Sequence, residues 1–245
     1  MHRKKPRMVS DHVIFNGHDL STLVYCKLQR PIMAPVSATF ENVAGRHGEV
    51  FKSAFRSGYD LPVDLWLRSN DRRDVAEVRH RLAKALWCTE PAPLYLPDDP
   101  TRYLMAIVSG PTDLGEITDD CPTTTVTFHI GDPAYYGQKR HVEAEAGTFT
   151  INAGGDLATY LTVTAEPSNP AGWYIRNVGT GEQVKLASSV ASGGTVRLDM
   201  AAERATVNGN TAAVTLDSDF FEIDGRTKLQ ISDGTALLEW RERWL

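Results

Sequence analysis

From Leu61 to Leu67 every second residue is aliphatic: Leu61, Val63, Leu65 and Leu67 alternate with Pro62, Asp64 and Trp66. A period of two puts one set of side chains on one face of an extended chain, which predicts a strand with one buried face. The period then lengthens. Val75, Val78, Leu82 and Leu86 recur at helical spacing, which predicts a helix from about Arg72 to Trp87. Ser69-Asn70-Asp71 stands in front of it with short side-chain oxygens suited to free N–H groups. Asp74 and Glu77 lie early and Lys84 late, as the helix dipole favours, and Pro91 and Pro93 end the run.

Further strands are expected around this helix. Val13-Ile14-Phe15 leads into Asn16-Gly17, a hairpin pair, and Val24, Cys26 and Leu28 follow in alternation. Ala38 to Val43 approaches Gly45-Arg46-His47-Gly48, where the chain is expected to reverse. Leu94-Tyr95-Leu96, Tyr103 to Val108 and Val126 to Ile130 complete the set, with Pro97-Asp98-Asp99-Pro100 as a turn. Gly131-Asp132-Pro133 stops the last strand, because proline has no N–H to donate. The first region is thus an α+β unit.

Past Gly137 the texture changes to short strands and Gly/Asn turns. Strands are expected near 148–151, 160–164, 173–177, 183–186, 195–199, 205–207, 213–216, 228–231 and 236–240. Asn208-Gly209 is the clearest hairpin tip, since both residues tolerate positive φ. Strands at this spacing with no helical period between them predict an all-β sandwich. The domain reading is 1–136 for the first domain, 137–146 for a linker and 147–245 for the sandwich.

Length and charge narrow the function. The 245 residues suffice for one large domain or two ordinary ones, and the net charge of −5 disfavours a general nucleic-acid binder. The basic start His2-Arg3-Lys4-Lys5-Pro6-Arg7 has no apolar stretch behind it and reads as a solvated arm, neither signal peptide nor membrane anchor; a contact with a neighbouring subunit or an anionic surface is the sharper reading. The cations Arg72, Arg73, Arg79, His80 and Arg81 of the predicted helix read as a solvated helix surface, with an acidic partner as the alternative. Cys26, Cys88 and Cys121 are widely spaced, with no CxxC pair, so neither zinc nor a disulfide framework is indicated.

Catalytic motifs are missing from the sequence: it contains no P-loop, GxSxG or HExxH. Asp98-Asp99 and Asp119-Asp120 are read as turn residues, and spacing assigns no glycosidase role to Asp199, Glu203, Asp217, Asp219, Glu222 or Asp224. No catalytic, cofactor or metal residue is assigned, and the scattered histidines are read as surface or satisfied groups. Trp173 and Tyr174 are the candidates for a binding surface. They are adjacent on one strand, so only one can face the core, and the other is free to stack on a sugar ring.

The order of features resembles the distal tail (Dit) family of long, non-contractile-tailed phages. The resemblance rests on Phe15-Asn16-Gly17-His18-Asp19-Leu20, Gly45-Arg46-His47-Gly48, the Leu61–Leu67 strand and the helix 71–87. It continues through Leu94 to Pro100, Arg102-Tyr103-Leu104-Met105-Ala106, Phe128-His129-Ile130-Gly131-Asp132-Pro133-Ala134-Tyr135-Tyr136-Gly137 and Asn152-Ala153-Gly154-Gly155. It implies a structural virion protein, not an enzyme, assembled in the host cytoplasm and located at the tail tip. The first domain would be barrel-like and form a ring, a homohexamer, joining the tail tube to the tail-tip or baseplate proteins; the second would be a galectin-like sandwich. Implied partners are self, tail-tube protein, tail-tip protein and a receptor-binding protein or host saccharide, without nucleic acid or membrane insertion. The alternatives are a carbohydrate-binding module with an adaptor domain, another tail-tube or tail-tip structural protein, and an enzyme acting on cell-wall glycan.

Overall fold

A computed structural model describes residues 12–28, 30–68, 72–115, 122–168, 172–191 and 193–245. The basic arm at 2–7, the capping stretch 69–71, Asp119-Asp120 and Cys121 lie outside the described residues. The chain divides into two compact units, Met1–Tyr135 and Tyr136–Leu245.

In the first unit β1 (Ile14–Phe15) and β2 (His18–Asp19) form the expected tight hairpin, and a 3-10 turn at Leu20–Thr22 leads to β3 (Val24–Leu28). Asp19 caps that turn by accepting from the Ser21 N–H at 2.9 Å. Next come β4 (Val36–Asn42), β5 (Glu49–Arg56), β6 (Tyr59–Leu67) and the helix α1 (Arg72–Leu86). β7 (Ala92–Leu96), β8 (Asp99–Ser109) and β9 (Thr123–Ile130) finish the unit.

One antiparallel sheet runs in the order β2-β1-β7-β8-β9-β6-β3. Among the described residues no ladder joins β3 to β2, so the hydrogen bonds do not close the sheet into a barrel. The alternation on β6 does what its pattern predicts: Leu61, Val63, Leu65 and Leu67 are buried, and Leu61 and Val63 pair with Phe128 and Val126 of β9. Phe15 and Phe128 meet edge to face, centroids 4.9 Å apart. The helix stripe Val75, Val78, Leu82 and Leu86 belongs to the same core. Each fully buried leucine here contributes about 2–3 kcal/mol relative to exposure.

The second unit is entered inside β10 (Tyr135–Asn152). This corrects one expectation: residues 137–146 are strand, where a linker was expected. β11 (Thr159–Tyr160), β12 (Thr162–Glu166), β13 (Tyr174–Asn177), β14 (Gln183–Lys185), β15 (Val196–Asp199), β16 (Arg204–Val207), β17 (Asn210–Thr211), β18 (Glu222–Ile223) and β19 (Arg226–Trp244) follow. Residues 213–216, expected as a strand, hold only a single bridge from Val214 to Leu186, and Leu216 is fully exposed. The strands expected at 228–231 and 236–240 are one strand, β19.

β19 lies beside β10 and also changes partner along its length. Leu229–Ile231 pair with β13, and Thr235–Glu239 pair with β12. Gly234 sits at the change-over with φ +72°, and a Cβ there would fall 2.1 Å from the Glu166 carbonyl oxygen. A strand that changes partners at a bend is how a sandwich turns its corner. The core holds Trp173, Ile175, Leu198, Phe221, Leu229 and Leu238. Asn208 and Gly209 take φ of 49° and 80°, so the β16–β17 tip forms as its sequence predicts.

Candidate functional site

The β4–β5 ribbon pairs only with itself among the described residues, from Val36 opposite Arg56 to Asn42 opposite Glu49. Its register shifts at Thr39/Phe40, because Thr39 faces Ser53 while Phe40 faces Phe51, leaving Lys52 as the extra residue. An extra residue reverses which face the strand presents beyond it. Phe51 is thereby moved to the face of its partner Phe40, together with Val36, Ala38 and Ala54. Without the bulge it would lie opposite. The two rings meet edge to face with centroids 5.8 Å apart.

This apolar face is uncovered. Phe40 is 52% exposed and Phe51 57% exposed, and of all the residues in both strands only Val50 and Arg56 are partly buried. Phe55, on the other face, is exposed as well. A two-stranded ribbon is marginally stable in water by itself, and the root of this one is tied down. The Ser57 N–H donates to the Pro35 carbonyl at 2.9 Å, the Ser37 and Ser57 hydroxyls are 2.6 Å apart, and Arg56 donates to the Pro133 carbonyl at 3.3 Å. Lys52 pairs with Glu41 across the ribbon. The arrangement is a held arm with an apolar face toward solvent, which is the property of a protein–protein contact.

The root meets the Gly131–Tyr136 exit turn. Ala134 is fully buried, and Tyr59 and Tyr135 are half-buried beside each other's elements. Burial, and then the neighbouring Tyr135, push the Tyr59 phenol up to about 12; burial and the Asp98 carboxylate push Tyr135 up as well. Asp98 pairs with Arg30, and Asp99 accepts from the Thr101 N–H at 3.0 Å and its hydroxyl at 2.6 Å. The Thr101 hydrogen bond leads the causes that hold the Asp99 carboxyl below its usual range. His129 and Asp60, cross-strand partners, are 2.8 Å apart. Further along, Gly137 lies where a Cβ would come within 2.8 Å of Trp244 Nε1 and 2.9 Å of Glu242 Oε2. Arg140 holds Glu242 there with a 2.8 Å bond from Nε.

The two aromatic candidates separate. Trp173 is fully buried and its Nε1 donates to the Asp233 carbonyl at 2.9 Å, so it packs in the sandwich core and offers no stacking surface. Tyr174 is half-exposed, faces the other way and pairs across the ladder with Lys185. The carboxylates weighed earlier have local work: Asp199 accepts from the Ala202 N–H at 3.0 Å, and Asp217 accepts from Gln183 Nε2 at 3.0 Å. Among the described residues no cluster of three His, Cys, Asp or Glu side chains has a metal-binding arrangement. No helix among them is long and apolar enough to cross a membrane.

Two family models match. The phage tail protein RIFT-related domain matches residues 15–130, and the siphovirus-type tail component, C-terminal domain, matches 154–244. The chain belongs to the siphophage distal tail family. It is a phage tail component. The two matches meet on either side of the exit turn and β10. No curated protein sequence matches the chain. Among solved structures the distal tail protein of phage SPP1, described as a paradigm of the hub adsorption apparatus in phages infecting Gram-positive hosts, aligns with TM-score 0.82 at 16% identity, over 97% of this chain and 100% of that one. A chain of the phage p2 baseplate in its activated, calcium-bound conformation aligns with TM-score 0.58 at 9% identity, over 96% and 98%. At these identities the likeness is one of fold.

The hairpin is the candidate surface that sequence reading left unassigned. Gly45 and Gly48 marked its turn, and Phe40, Phe51 and Phe55 so close to that turn were the available sign.

Proposed function

We propose that this distal tail protein assembles as a closed ring of identical subunits, a hexamer, joining the tail tube to the tail-tip proteins and working by binding without catalysis. The observation that carries the reading is the uncovered apolar face of the β4–β5 ribbon, with Val36, Ala38, Phe40, Phe51 and Ala54 on one side. A ring needs head-to-tail contacts in which one surface meets a different surface on the next copy, and a projecting arm with an apolar face suits such a contact. The finer readings of the domains belong here too: a barrel-like, ring-forming first unit and a galectin-like second unit that holds a receptor-binding protein. Mass photometry and negative-stain imaging of the purified protein, alone and with tail-tube protein, test the ring. Six-fold particles are expected. Single copies under both conditions would sink the reading.

A second reading, contact with host saccharide, is favoured by Tyr174, which stands half-exposed beside Lys185 and near the Gln183–Asp217 pair. A glycan array comparing wild type with Tyr174→Ala decides it. Absence of binding by wild type removes it.

A further inference from the structure

A second surface of the first unit is uncovered. On the side of α1 away from the core, Ala76, His80, Ala83 and Trp87 stand at i, i+4, i+7 and i+11 and are all exposed. Trp87, held at the end of the helix by its N–H bond to the Ala83 carbonyl at 3.0 Å, is 75% exposed. Exposed Arg79, Arg81 and Lys84 flank this track, against one exposed acid, Glu77. The small alanines make the track flat, and the indole at its end is the kind of large rigid side chain that anchors interfaces.

We propose that this face of α1 receives the β4–β5 ribbon of the neighbouring copy, an inference that rests on the ring reading and names the surface that ring contact uses. Two matches carry it. Among the described residues both surfaces are exposed and apolar, one lined by Ala38, Phe40 and Phe51 and the other by Ala76, Ala83 and Trp87. Their charges are complementary where they would meet: the ribbon face ends at its tip in Glu49, opposite Asn42, with Arg56 at the far end opposite Val36, whereas the helix track is edged by cations.

The register follows. With Trp87 against the Phe40–Phe51 pair, Glu49 lies two residues further along its strand, about 7 Å on. Lys84 and Arg81 are three and six residues back along the helix, about 4.5 and 9 Å, so the carboxylate falls between the two cations. The contact is heterologous, ribbon to helix, and leaves an open chain of copies with one free ribbon at one end and one free helix face at the other until the ring closes.

Sedimentation velocity of the full chain over a concentration series tests this. Trp87→Ala, Glu49→Lys and the double variant Arg81→Glu/Lys84→Glu are each expected to raise the concentration for half-assembly about tenfold or more. Combining Glu49→Lys with Arg81→Glu/Lys84→Glu is expected to restore assembly toward wild type, which a merely weakened fold would not do. All four positions are exposed, so the circular dichroism melting curves should overlay the wild type; Ala83→Glu, which puts a longer acidic side chain on the flat track, is the check if Trp87→Ala melts early. Rings that form normally with the helix variants but fail with Phe40→Ser/Phe51→Ser would overturn the helix assignment and leave the ring reading standing. A wild type that stays single, with and without tail-tube protein, would remove both.

Discussion

The β4–β5 and β15–β16 hairpins are built on one plan and end in opposite environments. In β15–β16, Val196, Leu198 and Ala205 are buried in the sandwich core, while Arg197 and Arg204 face solvent. In β4–β5 the apolar residues also gather on one face, but among the described residues nothing covers them. The first hairpin therefore stabilises the fold and the second is available to stabilise an assembly. Apolar alternation says that a face needs cover; it does not say whether the cover belongs to the same molecule.

The contrast is sharpest for side-chain truncation. Leu198→Ala, at a fully buried position, is expected to cost about 3–5 kcal/mol of unfolding free energy, read from the denaturant midpoint at constant slope. Next in size is Gly234→Ala, which places a Cβ against the Glu166 carbonyl at a positive φ. It should cost at least about 2 kcal/mol, and a wild-type midpoint would show that β19 can change partners without this bend. Phe40→Ser/Phe51→Ser should change the stability of the single copy by less than about 1 kcal/mol while abolishing rings. If that pair instead unfolds the protein, the ribbon is part of the core and the comparison fails.

The smallest effect concerns alkaline pH. The half-buried Tyr59 phenol is held neutral by the fold, with its pKa moved from 10.0 to about 12. Its raised value means the contribution is complete below pH 10 and is lost as pH rises through about 12. The melting temperature should therefore fall over that window, and Tyr59→Phe should flatten the fall. An unchanged slope would show that Tyr59 ionises as freely in the fold as out of it.

Much of this fold was legible along the chain because strict periods report on one face at a time. The Leu61–Leu67 alternation, the α1 stripe and the Asn208-Gly209 tip each depend on neighbours within a few residues, and each formed as expected. Residues 137–146 were misread because Lys139, Arg140, His141, Glu143 and Glu145 put charged and polar side chains where a linker would have them. That segment is a strand because β19 lies beside it in the sheet, and such pairing is invisible to composition. Residues 213–216 failed in the other direction: Val214 and Leu216 alternate as a strand does, yet among the described residues the pairing is a single bridge at Val214, and Leu216 is exposed.

The sequence by itself determined the periods, the turn residues, one helix in a chain that is otherwise mostly strand, and a family resemblance carried by the order of its motifs. Tertiary structure decided that Trp173 is core and Tyr174 is surface, because parity along a strand says that two neighbours differ but not which one faces inward. It also decided that Phe51 shares a face with Phe40. That depends on one extra residue in the ribbon, and register is set by the pairing of two strands, not by either strand alone.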